Sequence, residues 1–254
     1  MPLTDTARRN HAELFPDQAS SLADNDPELI ELFDNWAYGD VLAECGPDPK
    51  TRLMLQLAAI IASQSVNAYR IMLGAALEVG VTPIEIKEVV YQAVPYVGMA
   101  RVSDFLGVTN EVLQERGIPL PLERQSTTTR DTRFDKGIAA QKRIFGDEHI
   151  EKMHADAPKD QRHIQAFLSA NCFGDYYTRN GLDLKTRELL TFVLLAALGG
   201  CDPQVAAHAK GNLSVGNDRN ALLGAVTQVL PYIGYPRALN AIRAINEATK
   251  DHAS

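Results

Sequence analysis

Residues 183–200 read DLKTRELLTFVLLAALGG, and residues 48–62 read DPKTRLMLQLAAIIA. Each stretch opens on an Asp suited to cap a helix, and Pro49 takes the first helical position of the earlier one. The helix after Asp48 runs through Leu53, Leu55, Leu57 and Ile60. The helix after Asp183 is apolar nearly all round from Leu189 to Leu198, which marks a central element of a bundle. Gly199-Gly200 ends it. The match extends outward. Tyr38-Gly39-Asp40 recurs as Phe173-Gly174-Asp175, and Asp48, Lys50, Thr51 and Arg52 recur as Asp183, Lys185, Thr186 and Arg187, all 135 positions on. Gln92, Pro95, Tyr96, Gly98 and Arg101 recur as Gln228, Pro231, Tyr232, Gly234 and Arg237, 136 positions on. One residue is therefore inserted between Arg187 and Gly216. Leu14-Phe15-Pro16-Asp17 resembles Ile144-Phe145-Gly146-Asp147 more loosely. Matches in one order at a nearly constant offset read as a tandem duplication. The repeats are residues 1–118 and 134–254. Between them, residues 119–133 form a linker rich in Pro, Ser and Thr.

The remaining punctuation is helical. Asp202-Pro203 repeats the cap-plus-Pro signal and opens a helix from Gln204 to about Val215, closed by Gly216. A further helix spans Asn220 to Leu230 and stops at Pro231, and a last one spans Ala238 to Ala248. The β-leaning spots are Val89-Val90 and Val94-Pro95, and Pro95 argues against a strand there. The expected fold class is all-α. The length of 254 residues allows one large domain or two modest ones, and each half could bury its own core while gaining from association.

Composition excludes several functions. A net charge of −7 gives no footprint for a polyanion, so nucleic acid is not expected as a partner. The N-terminal residues contain no apolar leader segment, and no apolar run approaches the roughly 18 residues of a membrane span. Cys45, Cys172 and Cys201 form no CxxC pair, which points to a reducing compartment. A cytoplasmic protein with no membrane partner is expected. No glycine-rich phosphate loop and no metal-spaced His cluster appears, so neither a cofactor nor a metal is expected.

Chemistry is suggested by a difference between the repeats. Glu188, Cys201 and His208 correspond to Leu53, Ser65 and Met72 in the first repeat. A polar trio kept in one copy reads as a retained site beside a degenerate one. Glu188 shares a helix face with Thr191, Phe192 and Leu195, where a desolvated carboxylate can exchange protons near neutral pH. A helix-terminus carboxylate paired with Arg187 is the structural alternative. His208 supplies an imidazole, the natural proton carrier. A buried structural histidine is its alternative. Cys201 precedes the Asp202 cap, where a helix N-terminus favours thiolate. It could equally be a small buried hydrophobe. Cys45 and Cys172 read as structural, and His149, His154 and His163 as surface residues. Arg187 and Arg237 could hold a substrate carboxylate. Their counterparts Arg52 and Arg101 persist in the degenerate copy, which a structural role explains as well. Ser63, Gln64, Ser65, Asn67 and Tyr69 form a polar patch of the first repeat, read as a solvated or capping segment.

The second repeat reads LDLKTRELLTFVLLAALGG, then HAKGNLSVG, then QVLPYIGYPRALNAIRAINE, after an upstream FDKGIAAQKRIFGDEH. This combination resembles the carboxymuconolactone decarboxylase family. The first half matches more weakly, best in ALEVGVTPIEIKEVVYQAVPYVGMARVSDF. The resemblance implies an alkylhydroperoxidase D-like helical bundle that assembles as rings, with a tandem chain forming a trimer of six pseudo-equivalent domains. It also implies a cofactor-free decarboxylase of a small carboxylated unsaturated lactone, with His208 as general acid, Glu188 orienting it, and Cys201 lining the pocket. The related thiol peroxidases carry a CxxC followed by a His. Here Cys201 and His208 fall on that pattern, but Gln204 stands at the second Cys, so no disulfide relay can form. A one-cysteine peroxidase using Cys201 and an outside thiol is the enzymatic alternative. A non-catalytic helical assembly module is the other.

Overall fold

The computed structural model describes residues 2–16, 22–44 and 46–250, so Asp17 and Cys45 lie outside the described residues. The caps expected at Asp48 and Asp183 form. Asp48 accepts from the amides of Lys50 and Thr51, and Asp183 accepts from that of Thr186 at 2.7 Å. The first repeat forms α1 (Asp5–Leu14), α2 (Pro27–Asp34), a π-helical turn (Asn35–Asp40), α3 (Val41–Ala43), α4 (Pro49–Ala62), α5 (Val66–Glu78), α6 (Pro83–Val97) and α7 (Met99–Glu115). The second forms α8 (Arg133–Phe145), α9 (Asp147–Ala155), α10 (Arg162–Phe167), a π-helical segment (Leu168–Tyr177), α11 (Leu184–Leu198), α12 (Asp202–Ser214), α13 (Arg219–Ile233) and α14 (Tyr235–Ala248). No strand occurs among the described residues, so the fold is all-α, and the chain is a tandem duplication of one helical unit.

Three boundaries differ from the sequence expectation. Cys201, not Asp202, holds the N-cap position of α12, and no side chain caps that end. Helix α13 runs through Pro231 to Ile233, as α6 runs through Pro95 to Val97. Each proline stands in the last turn, where its missing N–H removes a single helical bond and packing of the surrounding apolar face outweighs the loss. Helix α14 starts at Tyr235, because Pro236 fits the first turn.

The repeats do not keep separate cores. One continuous buried cluster joins Leu55, Ile60 and Val90 of the first repeat to Leu190, Leu194 and Val226 of the second. Helices α4 and α11 pack on each other, α6 packs on α11, and α13 packs on α4. Two cross-repeat bonds show that the exchange is reciprocal. Gln92 Nε2 donates to Thr191 Oγ1 at 3.1 Å, and Gln56 Nε2 donates to the Gln228 carbonyl at 3.0 Å. Residues 56 and 191 are repeat partners, and so are 92 and 228. The linker is pinned rather than loose. The Gln125 carbonyl accepts from Asn180 N at 2.9 Å, and Thr127 Oγ1 donates to the Thr178 carbonyl at 2.7 Å.

Helix α8 lies against the π-helical segment at two glycines. A Cβ on Gly174 would stand 2.0 Å from the Arg133 carbonyl oxygen, and one on Gly137 would stand 1.9 Å from that of Ser169. The equivalent crossing in the first repeat is looser, since a Cβ on Gly39 would meet the Ala7 Cβ at 3.7 Å. Gly174→Ala should therefore destabilise the protein by about 3 kcal/mol, the upper end of ordinary overpacking. Gly39→Ala should be tolerated. Paired denaturant titrations check the contrast, and equal effects would contradict it.

Candidate functional site

Helix α11 carries Glu188 on a face with no access to water, 0% exposed. Such a carboxylate needs partners, and each oxygen has one. Glu188 Oε1 lies 2.5 Å from His208 Nδ1 on α12, and Oε2 accepts from the Tyr177 hydroxyl at 2.9 Å. Gly211 on α12 makes the approach possible, because a Cβ there would stand 2.5 Å from Glu188 Oε1. Asn212 ties the two helices together, donating to the backbone carbonyls of Glu188 and His208 at 3.1 and 2.8 Å. The His208 ring stands edge-on to Tyr96, at 5.8 Å between centroids, and to Phe145, at 5.4 Å. With Nδ1 committed to Glu188 and the ring plane held, Nε2 is the nitrogen left for a substrate. No described residue bonds to it. His208 is 6% exposed.

Behind Glu188 runs a chain of donors that crosses to the first repeat. Tyr177 spends its hydrogen on Glu188, so it accepts from Tyr96 Oη at 3.0 Å and from Thr191 Oγ1 at 2.7 Å. Thr191 in turn accepts from Gln92 Nε2, and Gln92 Oε1 accepts from Arg187 Nη1 at 3.1 Å. Every bond points toward the Glu188 carboxylate. Burial, followed by the nearby Glu188 charge, holds the Tyr177 hydroxyl well above the usual phenol range. Burial does the same for Tyr96, so both stay protonated donors. Arg187 anchors the far end. It is 0% exposed, and its Nη2 donates to Glu88 Oε2 at 2.8 Å and to the carbonyls of Arg179 and Asn180. Glu88, 1% exposed, also receives a two-pronged contact from Arg179 at 2.9–3.0 Å. Burial lowers the Arg187 pKa and the Glu88 contact opposes that shift. A guanidinium in this setting remains charged.

The sequence-predicted residues thus divide. Glu188 and His208 meet. Arg187 lies beneath them in the donor chain, with both Nη atoms bonded within the protein. Cys201 and Arg237 line a different, very small cavity of about 20 Å³ between α11, α12 and α14, and Arg237 is exposed. The expectation of a thiolate at Cys201 is reversed. Partial burial and the adjacent Asp202 carboxylate push the thiol up, and Sγ donates to the Leu195 carbonyl at 3.2 Å. The N-terminal amides of α12 do not compensate. Cys172 is buried with its thiol pushed up to about 12, and it donates to Tyr96 Oη. His149 and His163 are exposed, whereas His154 is half-buried against Ser169 at 3.0 Å. In the polar patch of the first repeat, Gln64 takes a left-handed turn at φ 62, donating to the Ile61 carbonyl, and Tyr69 is buried against Thr109. Among the described residues no group of three His, Cys, Asp or Glu could hold a metal ion.

Tyr96, Tyr177, Gln92 and Asn212 were not singled out by sequence. One signal was present for Tyr177, since its repeat partner is Leu42. In the first repeat Leu53, Met72 and Leu42 replace Glu188, His208 and Tyr177, and the Tyr96 counterpart, Tyr232, contacts Met72 sulfur at 3.8 Å.

The model of the carboxymuconolactone decarboxylase family matches residues 27–111 and again 162–247. The 4-carboxymuconolactone decarboxylase of Acinetobacter baylyi is 25% identical over 121 residues, 48% of this chain and 90% of that protein. The nitrosuccinic acid decarboxylase of Metarhizium robertsii is 27% identical over 118 residues, 46% of this chain and 82% of that protein. A crystal structure of a provisionally assigned gamma-carboxymuconolactone decarboxylase subunit from Burkholderia xenovorans shares the fold over 100% of both chains, with a TM-score of 0.52 and 20% identity.

Two outcomes follow from these environments. Alkylation of Cys201 by iodoacetamide, followed residue by residue in the mass spectrometer, should rise only above the ordinary thiol value of about 8.5. Rapid labelling at neutral pH would contradict the raised thiol. Arg187→Met should cost about 3 kcal/mol in denaturant unfolding, the lower end for breaking a buried ion pair, because Glu88 keeps its Arg179 contact. A loss below 1 kcal/mol would contradict the anchor.

Proposed function

This chain belongs to the carboxymuconolactone decarboxylase family, and we propose that it is a carboxy-lyase acting on a small carboxylated, conjugated substrate with one site per chain. The observation that carries this reading is the buried Glu188–His208 contact, with His208 Nε2 left unbonded. The substrate class named for both curated relatives is a carboxylic acid bearing its own electron-withdrawing group. For an unsaturated lactone, the bond to the carboxyl carbon breaks and carbon dioxide leaves. The electron pair moves into the conjugated lactone carbonyl. His208 Nε2–H then gives its proton to carbon, and the Nδ1–Glu188 contact stabilises the ring through the change. Solvent restores the proton. The substrate is its own electron sink in this scheme, so the step asks the protein only for orientation and a proton.

In this reading Tyr177 holds the second Glu188 oxygen, and Arg187 acts through the donor chain rather than on the substrate. The substrate carboxylate falls to a group outside that chain, and Arg237, exposed beside the separate Cys201 cavity, does not share the Glu188–His208 site. Cys201 lies in its own small cavity with a protonated thiol, and nothing there favours the peroxidase reading. Residues 1–118 and 134–254 act as one folding unit strapped by residues 119–133. Assembly of chains is supported by the surface. Leu29 and Ile164, Leu32 and Phe167, and Met99 and Tyr235 are repeat partners, and all six are exposed. An apolar patch presented twice at equivalent positions suits a trimeric ring of pseudo-equivalent repeats. No helix among the described residues is long and apolar enough to cross a membrane.

Carbon dioxide release from 4-carboxymuconolactone and from nitrosuccinate tests the reading. His208→Ala should lower the turnover of whichever substrate reacts by about 10²–10⁴-fold while the circular dichroism stays unchanged. Tyr177→Phe, which removes a hydrogen bond to a charged acceptor worth about 1.5–3 kcal/mol, should cost roughly ten- to a hundredfold. Full activity in His208→Ala would overturn the assignment.

A further inference from the structure

A cavity of about 550 Å³ opens between α6, α7 and the linker, where residues 120–126 form its roof. Neither Glu188 nor His208 lines it. Its floor is Glu88 and Arg179, so the buried layer of Arg187 and Gln92 separates it from the candidate active site.

The wall carries an ammonium group in an unusual place. Lys87 is only 9% exposed, yet its Nζ bonds to a single described partner, Asn110 Oδ1. An ammonium has three hydrogens to donate. Burial drives its pKa down, which an anion beside it would reverse. The other charge on the floor is already matched, since Glu88 is held by both Arg179 and Arg187. An incoming anion therefore meets Lys87 without facing a free carboxylate there. The roof adds Glu123 and Arg124, a carboxylate and a guanidinium of opposite charge, with Gln125 and Ser126, and the apolar lining comes from Ile84, Leu120, Leu122 and the ring of Tyr91, which the Arg179 guanidinium covers at 4.9 Å. One buried cation beside a partly apolar wall selects a ligand with a charged end and an apolar body.

We propose that this cavity is a second binding site, for a small carboxylate with a flat apolar body, in which Lys87 and Asn110 hold the carboxylate end and Tyr91 and the linker roof enclose the body. The site is independent of the decarboxylase reading. Because its floor residue Glu88 also grips Arg187, occupancy lies one contact away from the donor chain that ends at Glu188.

Benzoate serves as the probe and benzyl alcohol as its uncharged counterpart, each titrated into the full-length chain by calorimetry. Benzoate should bind saturably and at least tenfold more tightly than benzyl alcohol. His208→Ala should leave that binding intact, which separates it from any binding at the active site. Lys87→Met should abolish the preference for benzoate. If that variant fails to fold, Leu122→Trp on the roof carries the test, because it fills the chamber without touching Lys87 and should block both probes. Absence of saturable benzoate binding, or benzoate binding that survives Leu122→Trp, would overturn the proposal.

Discussion

The structure depends on a charge placed where there is no water. Arg187 stands at the centre of the molecule, fully buried, on a helix that is otherwise almost wholly apolar. A guanidinium there is tolerable only if its protons are taken up by groups already in place. Those groups come from the other repeat, Glu88 and Gln92, and from the backbone of residues 179 and 180. The two halves therefore cannot be parted without exposing or stranding that charge. The shared apolar cluster supplies the driving force for their union, and Arg187 supplies its register.

That register is what the site uses. Glu188 follows Arg187 in sequence, so fixing one side chain across the repeat boundary fixes the helix that presents the other. The donor chain then adds direction. Each hydrogen between Arg187 and Glu188 points the same way, and chains of this kind reinforce one another in a low-dielectric interior. The arrangement sets Glu188 facing His208, with the imidazole held by its neighbours and open only at Nε2.

Much of this was legible in the sequence because duplication gives an internal control. The caps at Asp48 and Asp183 mark the two central helices, and the replacement of Glu188 and His208 by Leu53 and Met72 singles out two residues that the structure brings into contact. What could not be read was contact between distant segments. Tyr96 and Tyr177 are 81 residues apart and meet only because the repeats exchange helices. Cys201 was misjudged for a local reason. Its place at the start of α12 was correct, but the last turns of α11 fold back within reach of Sγ, and Asp202 adds a like charge that favours the thiol. Proline was misread at Pro231 because a missing N–H matters less in a final turn than the apolar face on either side of it.

The first repeat shows which contacts accompany the Glu188–His208 pair and which do not. Arg52 occupies the Arg187 position, and that position is retained in both copies. Of its side-chain partners, Gln92 persists as Gln228 but Glu88 does not. Gly224 stands where Glu88 does, Glu44 where Arg179 does, and Gln56 where Thr191 does. Arg52 is accordingly half-buried, whereas Arg187 is fully buried. If the Arg187 network served packing alone, the second copy would need the same partners to bury the same arginine. Instead, the Glu88 carboxylate vanishes together with Glu188, His208 and Tyr177, and the arginine is only half-buried. The ion pair, the donor chain and the Glu–His pair form one set, and a fused chain can keep that set on one side because its two halves need not carry the same residues.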